Sequence, residues 1–319
     1  MKSKDKENEL EPSIKRRAIE LNIHKVLVAL SGGPDSVAIA YALKQTSLEV
    51  TALHCNFHLR GEESNRDAEF VDRFCAAHNI PLKTIDFNVE DYRQLHKGES
   101  IEMACRTLRY EWFDNELQET GADRLVTGHN ADDNIETFLL NMLRGSGTRG
   151  LKGMIEDNGK IWRPLLSFNR SFILSYLQSN ELSYVVDSTN LKSDYRRNYL
   201  RNEIIPLLKK EWKGFDAAML RTISNLQTEN NVIEHYIREQ LEGKPYMLEV
   251  EKILKFPAPL LLIRRFIDKT EPFTTIPEEV LSAIKSNKPH IRRWRLKKGE
   301  LILRNGKLLI EMRHSESCS

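Results

Sequence analysis

Apolar and polar positions alternate along the first half of the chain in two ways. Short apolar runs at 25–30, 50–54, 83–87 and 124–127 have the length and β-branched content of buried strands. Between and around them the spacing turns helical, at 12–21, 36–44, 64–78, 100–120 and 132–143. Strand and helix in alternation predict an α/β domain built on a parallel sheet. Ligands of such sheets sit beyond the carboxyl ends of the strands. Three of the predicted strands are followed there by polar or glycine-rich sequence, at 31–36, 55–63 and 128–133. One cleft can gather all three.

The pattern changes after Leu143. Residues 144–154 carry Gly145, Gly147, Gly150 and Gly153, too many for a helix interior, and read as a mobile loop over the cleft. A short strand at 160–163, a helix near 169–179 and the polar cluster Asp187-Ser188-Thr189-Asn190 follow. From 215 to 241, Leu220, Ile223, Leu226, Val232, Ile233 and Tyr236 recur at helical spacing. Helices at 257–270 and 277–285 precede a hairpin at 301–310, where Asn305-Gly306 supplies a type I′ turn. The expected division is an N-terminal extension with the first helix (1–20), a main α/β domain (21–214), and a helical linker with a smaller α+β domain (215–319).

The 48 basic and 46 acidic residues nearly cancel, so a nucleic-acid partner must be held by local patches. The four cysteines include no C-x-x-C pair, which argues against a zinc knuckle, a dithiol site or a cluster. No apolar run reaches membrane-spanning length, and the charged start lacks the apolar core of a signal peptide. A cytoplasmic chain without membrane contact is expected, and a homodimer is left open.

Between the first predicted strand and its helix stands Ser31-Gly32-Gly33-Pro34-Asp35-Ser36. The two glycines allow a sharp turn and close approach, Pro34 suits a first helical turn, and the unpaired N–H groups of the helix start favour an oxyanion. The stretch suits a phosphate, or is a strand-to-helix turn with a serine cap, and it matches neither a Walker A loop nor G-x-G-x-x-G. Asp35 beside a phosphate would repel it unless a cation lies between, which implies Mg²⁺ bridging to phosphate oxygens.

Other constellations add to it. Asp133 and Glu136 lie three apart on one helical face. They offset the helix dipole, and facing the cleft they suit either a second metal or a substrate ammonium; Asp132 serves the dipole alone. Arg106 and Arg109 share a face of another helix, and Arg109 is the better candidate for countering phosphate charge. His58, after the second strand, can border an adenine pocket. Arg197 and Arg201, four apart, offer two guanidinium forks suited to phosphate. The run from His290 to Lys298 with Arg292, Arg293, Trp294, Arg295 and Lys297 can track an RNA backbone, or be a solvated strand face.

The stretch S-G-G-P-D-S resembles the PP-loop of the N-type ATP pyrophosphatases. With T-G-H-N-A-D-D-N-I-E-T-F-L, R-G-S-G-T-R-G-L-K-G-M, and D-S-T-N followed by R-R-N-Y-L-R, the chain from about 25 to 201 is similar to the tRNA(Ile)-lysidine synthases. The resemblance implies adenylation by ATP of the C2 oxygen of cytidine 34 in a CAU anticodon, then attack by the ε-amine of lysine, releasing AMP and diphosphate. It implies that Ser31 to Ser36 grip ATP, that Asp35 holds Mg²⁺, that Asp133 and Glu136 position lysine, and that Arg109 and Arg201 stabilise negative charge. Arg197, Arg292, Arg293, Arg295 and Lys297 would meet the tRNA. The alternatives are a tRNA thiolase on the same scaffold, which the missing C-x-x-C weakens; an amide-forming synthetase acting on a free metabolite; and a non-catalytic RNA-binding module.

Overall fold

In the computed structural model the four apolar runs become β1 (Lys25–Ala29), β2 (Glu49–Asn56), β3 (Leu82–Asp86) and β4 (Arg124–Val126), joined by a fifth strand, β5 (Ile161–Trp162). All pair in parallel in the order β3-β2-β1-β4-β5. The structure describes residues 10–96, 98–185, 195–243, 246–268, 275–286 and 291–312. The first crossovers run outward from β1 through β2 to β3, and the next returns to β4 on the other side of β1. The carboxyl ends of β1 and β4 therefore flank a topological switch point, where loops diverge and leave a crevice.

The crossovers are α1 (Leu10–Glu20) before the sheet, then α2 (Pro34–Lys44), α3 (Glu62–Ala77), α4 (Val89–Leu95), α5 (Ile101–Thr120) and α6 (Ala131–Leu143). Each start has a local cause. Pro34 occupies the first turn of α2 after an extended Gly33. Ser100 caps α5 by accepting from the Met103 N–H, and Gly121 closes it in the left-handed region. The seven-residue α4 escaped the pattern because it is too short to show a period; Asn88 caps it. Val26, Leu27, Val28, Val37, Ile39, Leu43 and Leu125 are fully enclosed, and the main core lies between the sheet and α1, α2, α3 and α8 (Arg170–Ser179).

The glycine-rich segment is not the mobile loop expected. It contains a one-turn helix, α7 (Thr148–Leu151), and is tied down at several points. Asn141 donates to the Gly150 carbonyl, Asn134 accepts from the Met154 N–H, and Gln227 donates to the carbonyls of Lys152 and Met154. Glycine counting missed this because the anchors come from distant side chains.

After the undescribed stretch 186–194, in which Asp187 to Asn190 lie, come α9 (Tyr195–Tyr199), a π turn at Leu200–Ile204, and α10 (Ile205–Glu211). Pro206 has no N–H to return to the Asn202 carbonyl, which accounts for the widened ladder there.

The chain divides into two compact units at Gln227/Thr228, inside α11 (Phe215–Leu241), rather than at 214/215. The second unit has its own antiparallel sheet in the order β6-β9-β8-β7, with β6 (Met247–Glu249), β7 (Arg292–Leu296), β8 (Gly299–Arg304) and β9 (Lys307–Met312). It also holds α12 (Val250–Lys255), α13 (Pro259–Ile267) and α14 (Ile276–Lys285). The helix expected over 257–270 is thus preceded by a separate one, broken at Phe256-Pro257-Ala258-Pro259. Leu248, Ile253, Leu262, Ile263, Phe266, Val280, Leu301 and Leu308 form its core.

Candidate functional site

The turn after β1 folds around Ser36. Its hydroxyl donates to the Gly33 carbonyl at 2.8 Å and accepts from the Ser31 N–H at 3.2 Å, and the Ser31 hydroxyl lies 3.2 Å away. Gly32 has φ +86°, which only glycine adopts without strain, and its carbonyl accepts from the Val185 N–H. Gly33 is extended at φ −71° and needs no such freedom. Both glycines are expected to make the turn; Gly32 makes it, and the Gly33 N–H donates to the Ser31 hydroxyl at 3.4 Å.

The loop after β4 packs onto this turn backbone against backbone. A Cβ on Gly128 would come within 2.9 Å of the Asp35 carbonyl carbon and 3.0 Å of the Ser36 nitrogen. Asn130 then opens α6 with a reciprocal cap: its Oδ1 accepts from the Asp133 N–H, and Asp133 Oδ2 accepts from the Asn130 N–H. The other half of the same amide, Nδ2, donates to Asp35 Oδ1 at 2.9 Å. Arg170, in the first turn of α8, reaches Asp35 Oδ2 at 3.3 Å, while its own N–H donates to Asp132. The Asp35 side chain is 20 % exposed, and burial pushes its carboxyl above the ordinary range despite these donors. Neither Asn130 nor Arg170 was singled out in the sequence. The cap residue before an acidic first turn was the available signal for Asn130; nothing local marks Arg170.

Asp133 and Glu136 do share a face, and Arg201 grips both. Its Nε and Nη2 bond the two oxygens of Glu136 at 2.5 and 2.9 Å, and Nη2 also reaches Asp133 Oδ1 at 2.8 Å. Arg197 Nε bonds Glu136 Oε2 at 3.0 Å. Glu136 is 1 % exposed, so the two guanidiniums are what allow its charge to be buried. The π turn places both arginines on this one carboxylate. They are therefore turned inward, and the open phosphate-binding face expected of Arg197 and Arg201 is not what they form. Asp132, assigned to the helix dipole alone, pairs with Lys209 at 2.8 Å.

His129 donates to or accepts from the Thr127 hydroxyl at 2.8 Å, and burial together with Arg163, Arg197, Arg106 and Arg109 pushes its pKa down to about 4. It is a neutral imidazole facing a cationic wall. Arg109 lies over the Phe57 ring at 5.2 Å and Arg106 over the Tyr110 ring at 4.7 Å. His58 sits at φ +52° and pairs with Asp86 at 2.7 Å. It lines a cavity of about 540 Å³ beyond β2 and β3 with Phe57, Phe87 and Arg93. The thiols of Cys55 and Cys75 are pushed up to about 12 and about 11 by burial, and that of Cys105 also rises. These are inert side chains.

In the second unit, β7 splits the basic run by its two-residue period. Arg293 and Arg295 are exposed, with Arg293 paired to Glu300, whereas Trp294 turns inward and donates to Glu279. His290 lies outside the described residues.

The model of the PP-loop domain family matches residues 6–208. A tRNA(Ile)-lysidine synthase from Chlorobaculum tepidum is 36 % identical over 235 residues, 72 % of this chain and 71 % of that protein. The chain belongs to the PP-loop family, on its tRNA(Ile)-lysidine synthase branch. The synthase of Bacteroides thetaiotaomicron is 41 % identical over 251 residues, 77 % of this chain and 58 % of that one. The synthase of Porphyromonas gingivalis W83 is 47 % identical over 203 residues, 63 % and 44 % respectively. The chain spans about half the length of several curated relatives it matches. A U34-tRNA thiolase from Methanococcus maripaludis shares the fold, with a TM-score of 0.57 at 22 % identity over 70 % of this chain and 78 % of that one.

Proposed function

We propose that the chain joins L-lysine to C2 of cytidine 34 in the CAU anticodon of tRNA(Ile), through an adenylated tRNA and with release of AMP and diphosphate. The observation that carries this is the carboxylate pair at the start of α6, whose preceding loop lies directly on the phosphate turn. A site for an amine and a site for ATP thus share one wall.

The residues present fit Mg²⁺ bound with ATP. Among the described residues no three His, Cys, Asp or Glu side chains cluster as a protein-only metal cage. A single desolvated carboxylate, Asp35, at the phosphate turn matches the way Mg²⁺ is held by one or two carboxylates plus substrate phosphates. Bound there, the ion would neutralise phosphate charge as the Pα–O–Pβ bridge breaks. Ser31 to Ser36 orient the phosphates through backbone N–H groups, and Arg109 answers charge on the departing diphosphate. His58 and the cavity beside it border the nucleotide.

The lysine amine must arrive at carboxylates that Arg197 and Arg201 already satisfy. One guanidinium has to shift, and Arg201 is placed to do so because it spans both Asp133 and Glu136. Its release would send a positive charge toward the reacting phosphate while the carboxylates take the amine's ammonium form; one ammonium proton passes to one of these carboxylates, and the neutral amine then attacks C2 as AMP leaves. Arg293 and Arg295, with Lys297 beyond the strand, would bear on tRNA phosphates, whereas Arg292 shares the Trp294 face of β7.

The deciding experiment incubates unmodified tRNA(Ile) bearing CAU with ATP, Mg²⁺ and labelled lysine. Label entering the tRNA with one AMP per lysine supports the reading. AMP formed only with a sulfur donor would replace it with the thiolase chemistry.

A further inference from the structure

We infer that Asn130 is a positioning residue that fixes the carboxylate of Asp35 for its cation and ties that carboxylate to the amine-binding end of α6. The inference rests on the lysidine reading only for what the second half-site binds.

The argument begins with the amide itself. An asparagine offers one acceptor and a pair of donors in a rigid plane. Here Oδ1 is committed to the Asp133 N–H at 3.0 Å, so Nδ2 is forced to point the other way, onto Asp35 Oδ1 at 2.9 Å. Asn130 is 1 % exposed, so no water competes for either bond. Its backbone N–H completes the link by donating to Asp133 Oδ2 at 3.1 Å. One side chain thus joins the first turn of α2 to the first turn of α6.

Gly128 supplies an independent observation. Two residues before Asn130, the chain passes so close to the Asp35 and Ser36 backbone that a Cβ does not fit. The close approach sets the distance between the two helix starts, and Asn130 sets the angle of the carboxylate. Arg170 holds the other oxygen from α8 at the longer distance of 3.3 Å and with 41 % of its side chain exposed. It can leave for an incoming anion, whereas Asn130 is enclosed and stays. A cation at Asp35 would then meet a carboxylate with one oxygen fixed in advance.

Serine and aspartate could cap α6 equally well, so the cap alone does not call for asparagine. Serine is too short to do both jobs, and aspartate has no donor for Asp35. Only an amide satisfies the two demands at this spacing.

The test uses the full chain carrying Asn130→Ser, which keeps an N-cap acceptor and removes the donor to Asp35, and Asn130→Ala, which removes both. Calorimetry measures ATP affinity with Mg²⁺ and with the metal chelated. We expect Asn130→Ser to weaken Mg·ATP binding about tenfold, the size of a lost hydrogen bond to a charged group, and to leave metal-free ATP binding within about twofold. Its melting temperature should fall by a few degrees for the lost bond to Asp35, and Asn130→Ala, which loses the cap as well, should melt lower still. In lysine transfer, Asn130→Ala should also raise the KM for lysine, and Asn130→Ser should not. Equal weakening with and without Mg²⁺, or no weakening at all, would overturn the inference by reducing Asn130 to a helix cap. Failure of the native chain to transfer lysine would sink the lysidine reading alone, because the nucleotide titration needs no acceptor.

Discussion

Replacing Gly128 by alanine adds one methyl group and should disable the nucleotide site. The glycine is absent from the positive-φ positions, so alanine meets no backbone strain there. On conformational grounds alone the change would stabilise the chain by about 0.4–1 kcal/mol, because alanine restricts the unfolded state. Sterics oppose this. The new Cβ would lie 2.9 Å from the Asp35 carbonyl carbon, 3.0 Å from its oxygen and 3.0 Å from the Ser36 nitrogen. Ordinary contacts between carbon atoms begin near 3.5 Å, so one backbone must yield by roughly half an ångström. All three atoms are main chain at the start of α2 and no side chain can rotate away. Overpacking of this kind costs about 1–3 kcal/mol, which exceeds the entropic gain.

One of the displaced atoms is the Ser36 nitrogen, whose N–H at the start of α2 would face the phosphate. A loss of about 1–2 kcal/mol in stability should therefore accompany a fall of at least about tenfold in Mg·ATP affinity. Urea unfolding followed by circular dichroism reads the first, and calorimetric titration of Mg·ATP the second. Gly147→Ala is the control, because its φ is −75° and its Cβ would meet nothing within 4 Å. It should retain stability within about 0.5 kcal/mol and affinity within a few-fold. Should Gly128→Ala bind Mg·ATP as the native chain does, the two loops are not in the register described, and the shared wall between the two half-sites falls with them.

His129 gives a pH prediction. Its folded-state pKa of about 4 lies below the unfolded value near 6.5, so the unfolded chain takes up the proton first and stability is lost as pH falls from about 6.5 to about 4. The full window amounts to at most about 3 kcal/mol, and His129→Gln should flatten that part of a urea-derived stability profile; an unchanged slope would contradict the burial argument. Arg201→Met leaves the enclosed Glu136 with Arg197 alone and should cost about 3 kcal/mol. Adding Glu136→Met should recover part of that loss, and strictly additive losses would mean that the pair is not coupled. Asp133→Asn and Glu136→Gln should each weaken lysine use more than diphosphate release; equal loss in both steps would point to metal ligation instead. Arg293→Gln and Arg295→Gln should weaken tRNA binding and lower the slope of log affinity against log salt by about one unit per phosphate contact, measured by filter binding across salt.

The sheet, the crossover helices and the phosphate turn were legible because each rests on local signals: an apolar run, a helical period, glycine and proline at a strand-to-helix turn. The places of Asp35 in that turn and of Asp133 and Glu136 on one helix face were legible for the same reason. What escaped is what distant segments do to one another. Arg170 lies 135 positions from Asp35, and Arg201 lies 65 positions from Glu136. No periodicity records that a side chain on α8 or in a π turn will reach back to the start of α2 or α6. The glycine-rich stretch misled in the opposite direction, since its composition is that of a loop and its order comes from Asn134, Asn141 and Gln227. Alternation in β7 was in the sequence, but the basic run hid it: Arg293 and Arg295 point one way and Trp294 the other.

Charge explains why the site needs both halves. Asp35, Asp132, Asp133, Glu136 and Asp216 are answered by Arg170, Lys209, Arg201 and Arg197, with Lys209 shared between Asp132 and Asp216, so this wall of the crevice has no positive charge left for an anion. The surplus lies elsewhere. Among the described residues Arg106, Arg109 and Arg163 make no ion pair within 4.0 Å, and Arg163 Nε is buried without a hydrogen-bond partner. Burial is the main cause that holds His129 neutral, and the field of Arg163, Arg197, Arg106 and Arg109 adds to it. On the proposed reading, anionic phosphate would lie against Arg106, Arg109 and Arg163, and an ammonium against Asp133 and Glu136 once Arg201 moves. On that reading, moving Arg201 would leave Asp133 and Glu136 with negative charge for a cation, so phosphate arrival and amine binding would reinforce each other through one guanidinium. A nucleotide-only enzyme would have no use for the buried Glu136, and an amine-only site none for the unpaired arginines.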